Sequence, residues 1–389
     1  MKYKIKLSAP YFFGNENKHL KECIKNKWIS AAGRTTRIFE NRIKRYTKSK
    51  YALGIINCTS ALQLSVRLLS PEPEDEILTP SITFVSTINA VVYNNCKPIF
   101  MDCDKNFLID TEKVIYFLKE NTISKKGFCY NKKTKKRILG LILVHTFGNL
   151  VKINNKILSE CKKRNIKIIE DAAESLGSFY IKNSKKVHPG TISDYGCLSF
   201  NGNKIITSGG GGMIIFKNKK NYKKAAYLSS QAKDDSTYFI HNEVGYNFRM
   251  SDLHSSIGLS QFNNLHKVLR KKKIIHNFYE KKINKIKGLK ILKNPNYSNS
   301  NNWLNILIVE KDYGISKKKI IKKFNNHGIE TRSVWYPNHL QKSFNTCQKY
   351  KITETFKLYE KSLCLPSSYS LKISDQKKII NLLVKKFKN

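Results

Sequence analysis

Along the first two-thirds of the chain, short apolar runs alternate with stretches whose apolar positions recur every three to four residues. Strands feeding helices that pack back on a mostly parallel sheet write this pattern, so it predicts an α/β domain. Residues 51–56, 76–78, 98–101, 138–145, 166–170, 197–200 and 213–216 read as strands. Residues 59–69, 83–93 and 153–164 read as helices, and Asp110 or Thr111 caps another that runs to about Glu120. The run 138–145 is almost wholly apolar, as suits a central strand covered on both faces.

After Ser251 the period lengthens. One long helix is expected to about Ile286, with Ser251 and Asp252 as cap candidates. Strands at 303–309 and 329–334 and helices at 316–326 and 375–386 follow. The pattern divides the chain into a large α/β domain, 1–250, and a smaller C-terminal α+β domain, 251–389, joined by the long helix. No internal repeat or long low-complexity linker interrupts it.

Composition changes this picture little. The 389 residues are 40% hydrophobic, with 20 Tyr and 20 Phe, enough for a large core. No run approaches the ~20 apolar residues of a membrane-spanning helix. The start, Met1-Lys2-Tyr3-Lys4-Ile5-Lys6, lacks a signal-peptide core. Nine scattered cysteines form no Cys-x-x-Cys pair, which argues against a metal site and for reduced thiols in the cytoplasm. The formal net charge of +44 invites a nucleic acid or an anionic membrane as partner. Yet the basic residues are spread through nearly every segment, densest at 132–137 and 267–287. That spread describes a solvated basic surface, one that would attract an anionic small molecule such as a nucleotide diphosphate.

The chemistry concentrates around one lysine. Lys204 closes the run Leu198-Ser199-Phe200-Asn201-Gly202-Asn203-Lys204 and stands just before the glycines 209–212. Upstream, Asp171 follows the strand 166–170, and Glu174 follows two alanines. An amine for an aldehyde, a carboxylate for a ring nitrogen and small polar residues for a phosphate form the set that pyridoxal phosphate chemistry requires. Asn57-Cys58-Thr59-Ser60-Ala61 lies at a strand-to-helix junction, where free N–H groups favour a phosphate. The same residues also make an ordinary helix cap. Phe84 opens another helix, as a ring-stacking aromatic or as a core residue.

Six stretches in order resemble the DegT/DnrJ/StrS group of sugar-nucleotide aminotransferases. They begin at Lys27-Trp28-Ile29-Ser30, Asn57, Pro80, Glu170, Ser199 and Gly245-Tyr246-Asn247. The resemblance implies the fold type I architecture of pyridoxal phosphate-dependent transferases, with a mostly parallel central sheet and a smaller C-terminal α+β domain. It implies that Lys204 forms the Schiff base, Asp171 holds the pyridinium, Glu174 sits near the phenolic oxygen and Phe84 stacks on the ring. Thr59, Ser60 and Ser199 would hold the phosphate, with Asn247 arriving from the partner subunit of a homodimer. Trp28, Ser30, Trp335 and His339 would line the nucleotide-sugar cleft. The expected reaction moves an amino group, from glutamate as donor, to the C4 ketone of a UDP- or GDP-linked 4-keto-6-deoxy amino sugar. The branch resembled serves bacillosamine and legionaminic acid synthesis. A neutral, perosamine-type deoxyhexose is the alternative acceptor, and a non-catalytic, nucleic-acid-binding relative is the alternative from another class. Cys58 departs from the family's usual Gly at its position.

Overall fold

In the computed structural model, which describes residues 3–31, 33–182 and 185–387, the apolar runs lie side by side in one sheet. The outer residues of the two expected domains, 1–2 and 388–389, and with them the start of the N-terminal run, lie outside the described residues. The sheet order is Tyr51–Ile55, Gly212–Phe216, Tyr195–Ser199, Lys167–Asp171, Arg137–Val144, Glu76–Pro80, Lys97–Met101 and Lys349–Tyr350. Gly212–Phe216 runs antiparallel to both neighbours, whereas the other adjacent pairs are parallel. A hairpin, Thr122–Lys125 with Phe128–Asn131, pairs antiparallel with Arg137–Val144.

This topology decides where chemistry can sit. The strands ending at Ile55, Pro80, Met101, Val144, Asp171 and Ser199 all point their C-terminal ends to one edge of the sheet. Side chains and helix starts converge at such an edge. The one reversed strand begins there, at Gly212, so the connection from Ser199 to Gly212 stays at the same edge and keeps Lys204 with it. Gly212 is required at this start: a Cβ there would lie 2.7 Å from the Asn57 carbonyl carbon and the Cys58 nitrogen. The glycine tract therefore lets the helix start at Cys58 approach the sheet, and its effect on the cavity is indirect.

The second part of the chain forms a four-stranded antiparallel sheet in the order Leu289–Ile291, Asn305–Val309, Ser362–Leu365 and Arg332–Ser333. Two expectations need correction here. The long helix is two helices, Asp252–Asn263 and Leu265–Ile283, because the chain leaves helical geometry at Asn264, whose amide donates back to the Ser260 carbonyl. The strand expected at 329–334 shrinks to Arg332–Ser333, and Ile329 instead bridges to Ile5.

Helix Leu265–Ile283 carries an apolar stripe of Val268, Ile275, Tyr279 and Ile283, and within its buried face stands Lys272, 3% exposed. The Lys272 amine donates to the Trp303 carbonyl at 3.0 Å and to the Ser367 carbonyl. Burial lowers its pKa to about 7. In the unfolded chain it titrates in the ordinary lysine range. Between those values the unfolded state binds the extra proton, so stability rises with pH through this window, and below it the cost of burying the ammonium is felt in full. The wild type is therefore expected to gain on Lys272→Met as pH rises from 7 to 9, by at most about 1.4 kcal/mol per pH unit. Urea unfolding of both proteins across that range checks this, and a pH-independent difference contradicts it.

Candidate active site

At the converging sheet edge lies a cavity of about 410 Å³. Its lining includes Asn57, Cys58 and Thr59 from one helix start, Phe84 from another, Asp171 at the end of the central strand with Ala173 and Glu174 after it, and Ser199 and Lys204. Trp303, Arg332, Ser333 and Trp335 form the facing wall, from the second part of the chain.

Successive residues on a strand face opposite sides, and Glu170 and Asp171 show the consequence. Glu170 is fully buried, accepting N–H bonds from Gly190, Ile192 and Ser193 and the Ser193 hydroxyl. His145 lies 3.0 Å away; its Nδ1 accepts from Val151 N–H, so Nε2 carries the proton towards Glu170. Burial alone would raise the Glu170 pKa, but His145 and these amides bring it below the usual value. Glu170 is structural. Asp171 turns instead towards the cavity, accepting from the Thr87 hydroxyl at 2.7 Å and from Ala173 N–H at 3.1 Å. Burial raises its pKa, and those donors with the charge of Lys204 only partly offset this.

Lys204 Nζ lies 3.2 Å from Glu174 Oε1 and 4.2 Å from the centroid of the Trp303 ring. Glu174 Oε2 accepts from Phe147 N–H at 2.8 Å. Burial raises the Glu174 pKa, opposed mainly by Lys204. Phe147 makes that bond from a left-handed backbone (φ 58°), a conformation that costs a non-glycine residue, and its ring stacks on Trp335 at 4.5 Å.

The helix Cys58–Arg67 starts at the edge with Asn57 as cap, its Oδ1 accepting from Ser60 N–H at 2.8 Å. Thr59 and Ser60 thus sit on the positive end of the helix dipole. Cys58 is buried, and burial with the Asp171 charge raises its thiol pKa well above normal, so it stays protonated. Phe84 is 54% exposed at the start of helix Val85–Val92, which settles the alternative left open by the sequence: it is no core residue.

The remaining expected residues lie elsewhere. Trp28 and Ser30 are exposed and do not line the cavity. Asn247 is exposed and paired with Ser230. His339 is buried against the Ser81 hydroxyl and is not among the cavity-lining residues, and burial lowers its pKa. Its neighbour Asn338 donates to the carbonyls of Ser81 and Thr83, so this turn braces the segment that carries Phe84. Arg249, which the sequence offers first for an interface salt bridge and second for a donor carboxylate, pairs with Glu40 at 3.3 Å within its own chain. Pattern reading passed over Trp303 and Arg332. Arg332 lines the cavity on an edge strand, and no ion pair to it is found among the described residues. Nine free cysteines and no cluster of potential metal ligands are found among the described residues.

A model of the DegT/DnrJ/EryC1/StrS aminotransferase family matches residues 12–384. The chain is 30% identical over 393 residues to EpsN of Bacillus subtilis (strain 168), named as a pyridoxal phosphate-dependent aminotransferase, covering 100% of this chain and 97% of EpsN. It is also 30% identical over 372 residues to the GDP-perosamine synthase of Escherichia coli O157:H7, covering 95% of each. Among solved structures, it is similar to Helicobacter pylori PseC, an aminotransferase involved in pseudoaminic acid biosynthesis. The TM-score is 0.85 at 23% identity, covering 98% of this chain and 99% of PseC.

Proposed function

This chain belongs to the DegT/DnrJ/EryC1/StrS aminotransferase family and is a pyridoxal phosphate-dependent enzyme, and from that premise we propose that it aminates a nucleotide-linked sugar. The donor is an amino acid, glutamate, and the acceptor is the C4 ketone of a UDP- or GDP-linked 4-keto-6-deoxy amino sugar. One observation carries the reading: Lys204, Glu174 and Asp171 meet in a single cavity at the C-terminal edge of the parallel sheet.

The cavity fits the cofactor. Asp171 is a buried carboxylate with two hydrogen-bond donors but no hydrogen-bonded cation among the described residues, and a protonated ring nitrogen would supply the missing charge. Thr59, Ser60 and Ser199, with the helix start at Cys58, would hold the phosphate, and Phe84 would pack on the ring. When bound, pyridoxal phosphate supplies an aldehyde that exchanges amino groups and a ring that draws electron density from an adjacent carbon.

The protein's own groups do the rest. Lys204 anchors the cofactor and, once released, carries a proton between the donor α-carbon and the carbon that receives the amine. Glu174, in contact with its Nζ, takes up and returns the ammonium proton. Arg332 offers its guanidinium to an anionic group of the incoming substrate. Trp335, held by the Phe147 stack, forms the wall on the sugar side.

Asn247 has its assigned role only if a second copy brings it to this cavity, and we propose a homodimer with shared sites. In support, the neighbouring segment exposes Tyr238, Phe239, Ile240 and Val244, an apolar surface that a second copy would cover. Trp28 and Ser30 join the cleft in the same proposal. We place the enzyme in the cytoplasm, where its free thiols would stay reduced; no helix among the described residues is long and apolar enough to cross a membrane. The boundary at 250/251 is likewise proposed, just before the helix Asp252–Asn263.

The likeness to GDP-perosamine synthase favours a second reading, in which the acceptor is a neutral GDP-linked deoxyhexose. A panel of UDP- and GDP-linked 4-keto sugars, incubated with glutamate and the loaded enzyme and followed by mass spectrometry, decides between them. The expected product is an amine formed from an acetamido sugar at least about tenfold faster than from its neutral counterpart. The reverse ratio supports the perosamine-type reading, and no amine from any member removes both.

A further inference from the structure

Trp303 touches the reactive lysine in two ways. Its ring face lies 4.2 Å from Lys204 Nζ, and its indole N–H donates to the carbonyl of Asn203, the residue before that lysine, at 2.7 Å. The same carbonyl accepts from the Ser8 hydroxyl at 2.9 Å. Trp303 itself is only 2% exposed and is tied on its other sides. Its N–H donates to Asn301 Oδ1 at 2.9 Å, and its carbonyl accepts from Lys272 Nζ at 3.0 Å. The Asn301 amide reaches back to the carbonyls of Glu174 and Leu176, at 2.8 and 2.9 Å. One short segment, Asn301 to Trp303, therefore grips both the backbone that carries Glu174 and the loop that carries Lys204.

We propose that Trp303 is a positioning residue for Lys204. Its indole face is a second seat for the lysine amine, holding it beside Glu174 and inside the cavity while it is not bonded to the cofactor. The physical basis is the attraction of an ammonium to the negative face of a ring, strongest where water is excluded. Glu174 alone would hold the amine from one side; the ring closes the other side, and the N–H bond to Asn203 fixes the loop. The amine's work between two carbons requires that it return to one place, so a loose Lys204 would slow turnover without weakening substrate binding. This inference rests on the aminotransferase reading for its catalytic consequence but not for its geometric one, and the two are tested separately.

The geometric test uses the protein without cofactor. A small acylating reagent is applied, and Lys204 labelling is measured by peptide mass spectrometry against the exposed Lys318 in the same sample. Trp303→Leu is expected to label Lys204 about fivefold faster than wild type, and Trp303→Phe, which keeps a ring, to fall between them. Equal labelling in wild type and Trp303→Leu overturns the proposal, as does a Phe variant as fast as the Leu variant. Should Trp303→Leu fail to fold, Lys204→Met serves with Trp303 in place: in a chain whose Trp28 and Trp335 are Phe, its indole emission is expected to shift, and no shift overturns the proposal. In the loaded enzyme, Trp303→Leu is expected to lower kcat about 10- to 100-fold with each KM within about threefold, and Trp303→Phe to restore most of the loss. If the wild type itself aminates no sugar, the functional reading fails while the labelling result still judges the clamp.

Discussion

Lys204→Ala is expected to abolish amino transfer, lowering kcat by at least about 10⁴-fold, because one side chain is asked to do two jobs. It anchors the cofactor and it moves the proton, and among the described residues no second amine lines the cavity. The other cavity cation, Arg332, presents a planar guanidinium rather than an amine and cannot take over the anchoring of an aldehyde. Lys272 is buried behind Trp303 and is already held by two carbonyls. The loss must be separated from unfolding. Removing Lys204 leaves Glu174 buried without its ion pair, but the Glu174 pKa is already raised by burial, so the carboxyl can take up a proton. The variant is therefore expected to fold, with wild-type circular dichroism. Borohydride reduction of the loaded wild type should fix the cofactor on the peptide containing Lys204, and the variant should show no such mass. Wild-type turnover by Lys204→Ala, or a reduced cofactor on another peptide, would remove the assignment.

The expected site residues that line the cavity sit at strand ends or in the turns and loops that follow them. Asp171, Ser199 and the Asn57 cap come at the ends of strands whose boundaries the pattern marks, and parallel topology carries strand ends to one edge. Lys204 joins them because the loop it stands on links two antiparallel neighbours at that same edge. What stayed hidden depends on contacts remote in the chain. Helix Arg34–Thr47 begins after Gly33, which has no side chain to cap it, so no start signal is written there. The cap comes from Asp252, whose carboxylate accepts from Thr35 and Thr36 N–H at 3.1 and 2.9 Å. A Cβ on Gly33 would lie 2.1 Å from that carboxylate, so the glycine that erases the local signal is the one the distant cap requires. Trp303 and Arg332 were missed for a related reason. Trp303 faces the cavity from the segment just before the strand Asn305–Val309 and Arg332 from the short edge strand Arg332–Ser333, and no local pattern says that either meets a distant lysine. The family resemblance puts His339 in the substrate cleft, and no local pattern could show that its ring nitrogen meets the Ser81 hydroxyl, 258 residues away.

Asp171→Asn is expected to separate activity from stability. The substitution keeps the shape of the side chain, and an amide oxygen can still accept the Thr87 hydroxyl or the Ala173 N–H. What it removes is charge. A neutral amide cannot hold a protonated ring nitrogen, so the electron-accepting power of the loaded enzyme falls, and kcat with it, by about 10²- to 10⁴-fold. Stability is expected to move the other way. The folded chain raises the Asp171 pKa because burial penalises the carboxylate. Such a group stabilises the fold while protonated and loses that contribution as pH rises through its folded pKa. Asn never ionises. The cofactor-free variant should therefore match the wild type at pH values below the ordinary aspartate range and exceed it near neutrality, where the wild type bears the buried charge. Unfolding by urea at acidic and neutral pH measures the second effect, and rapid mixing with glutamate, followed by the visible absorbance of the loaded enzyme, measures the first. Asn activity within tenfold of wild type would deny Asp171 its role at the ring. A variant less stable than wild type at neutral pH would show that the carboxylate is held for the fold, whereas the expected pair of results shows a charge that the fold tolerates for the reaction alone.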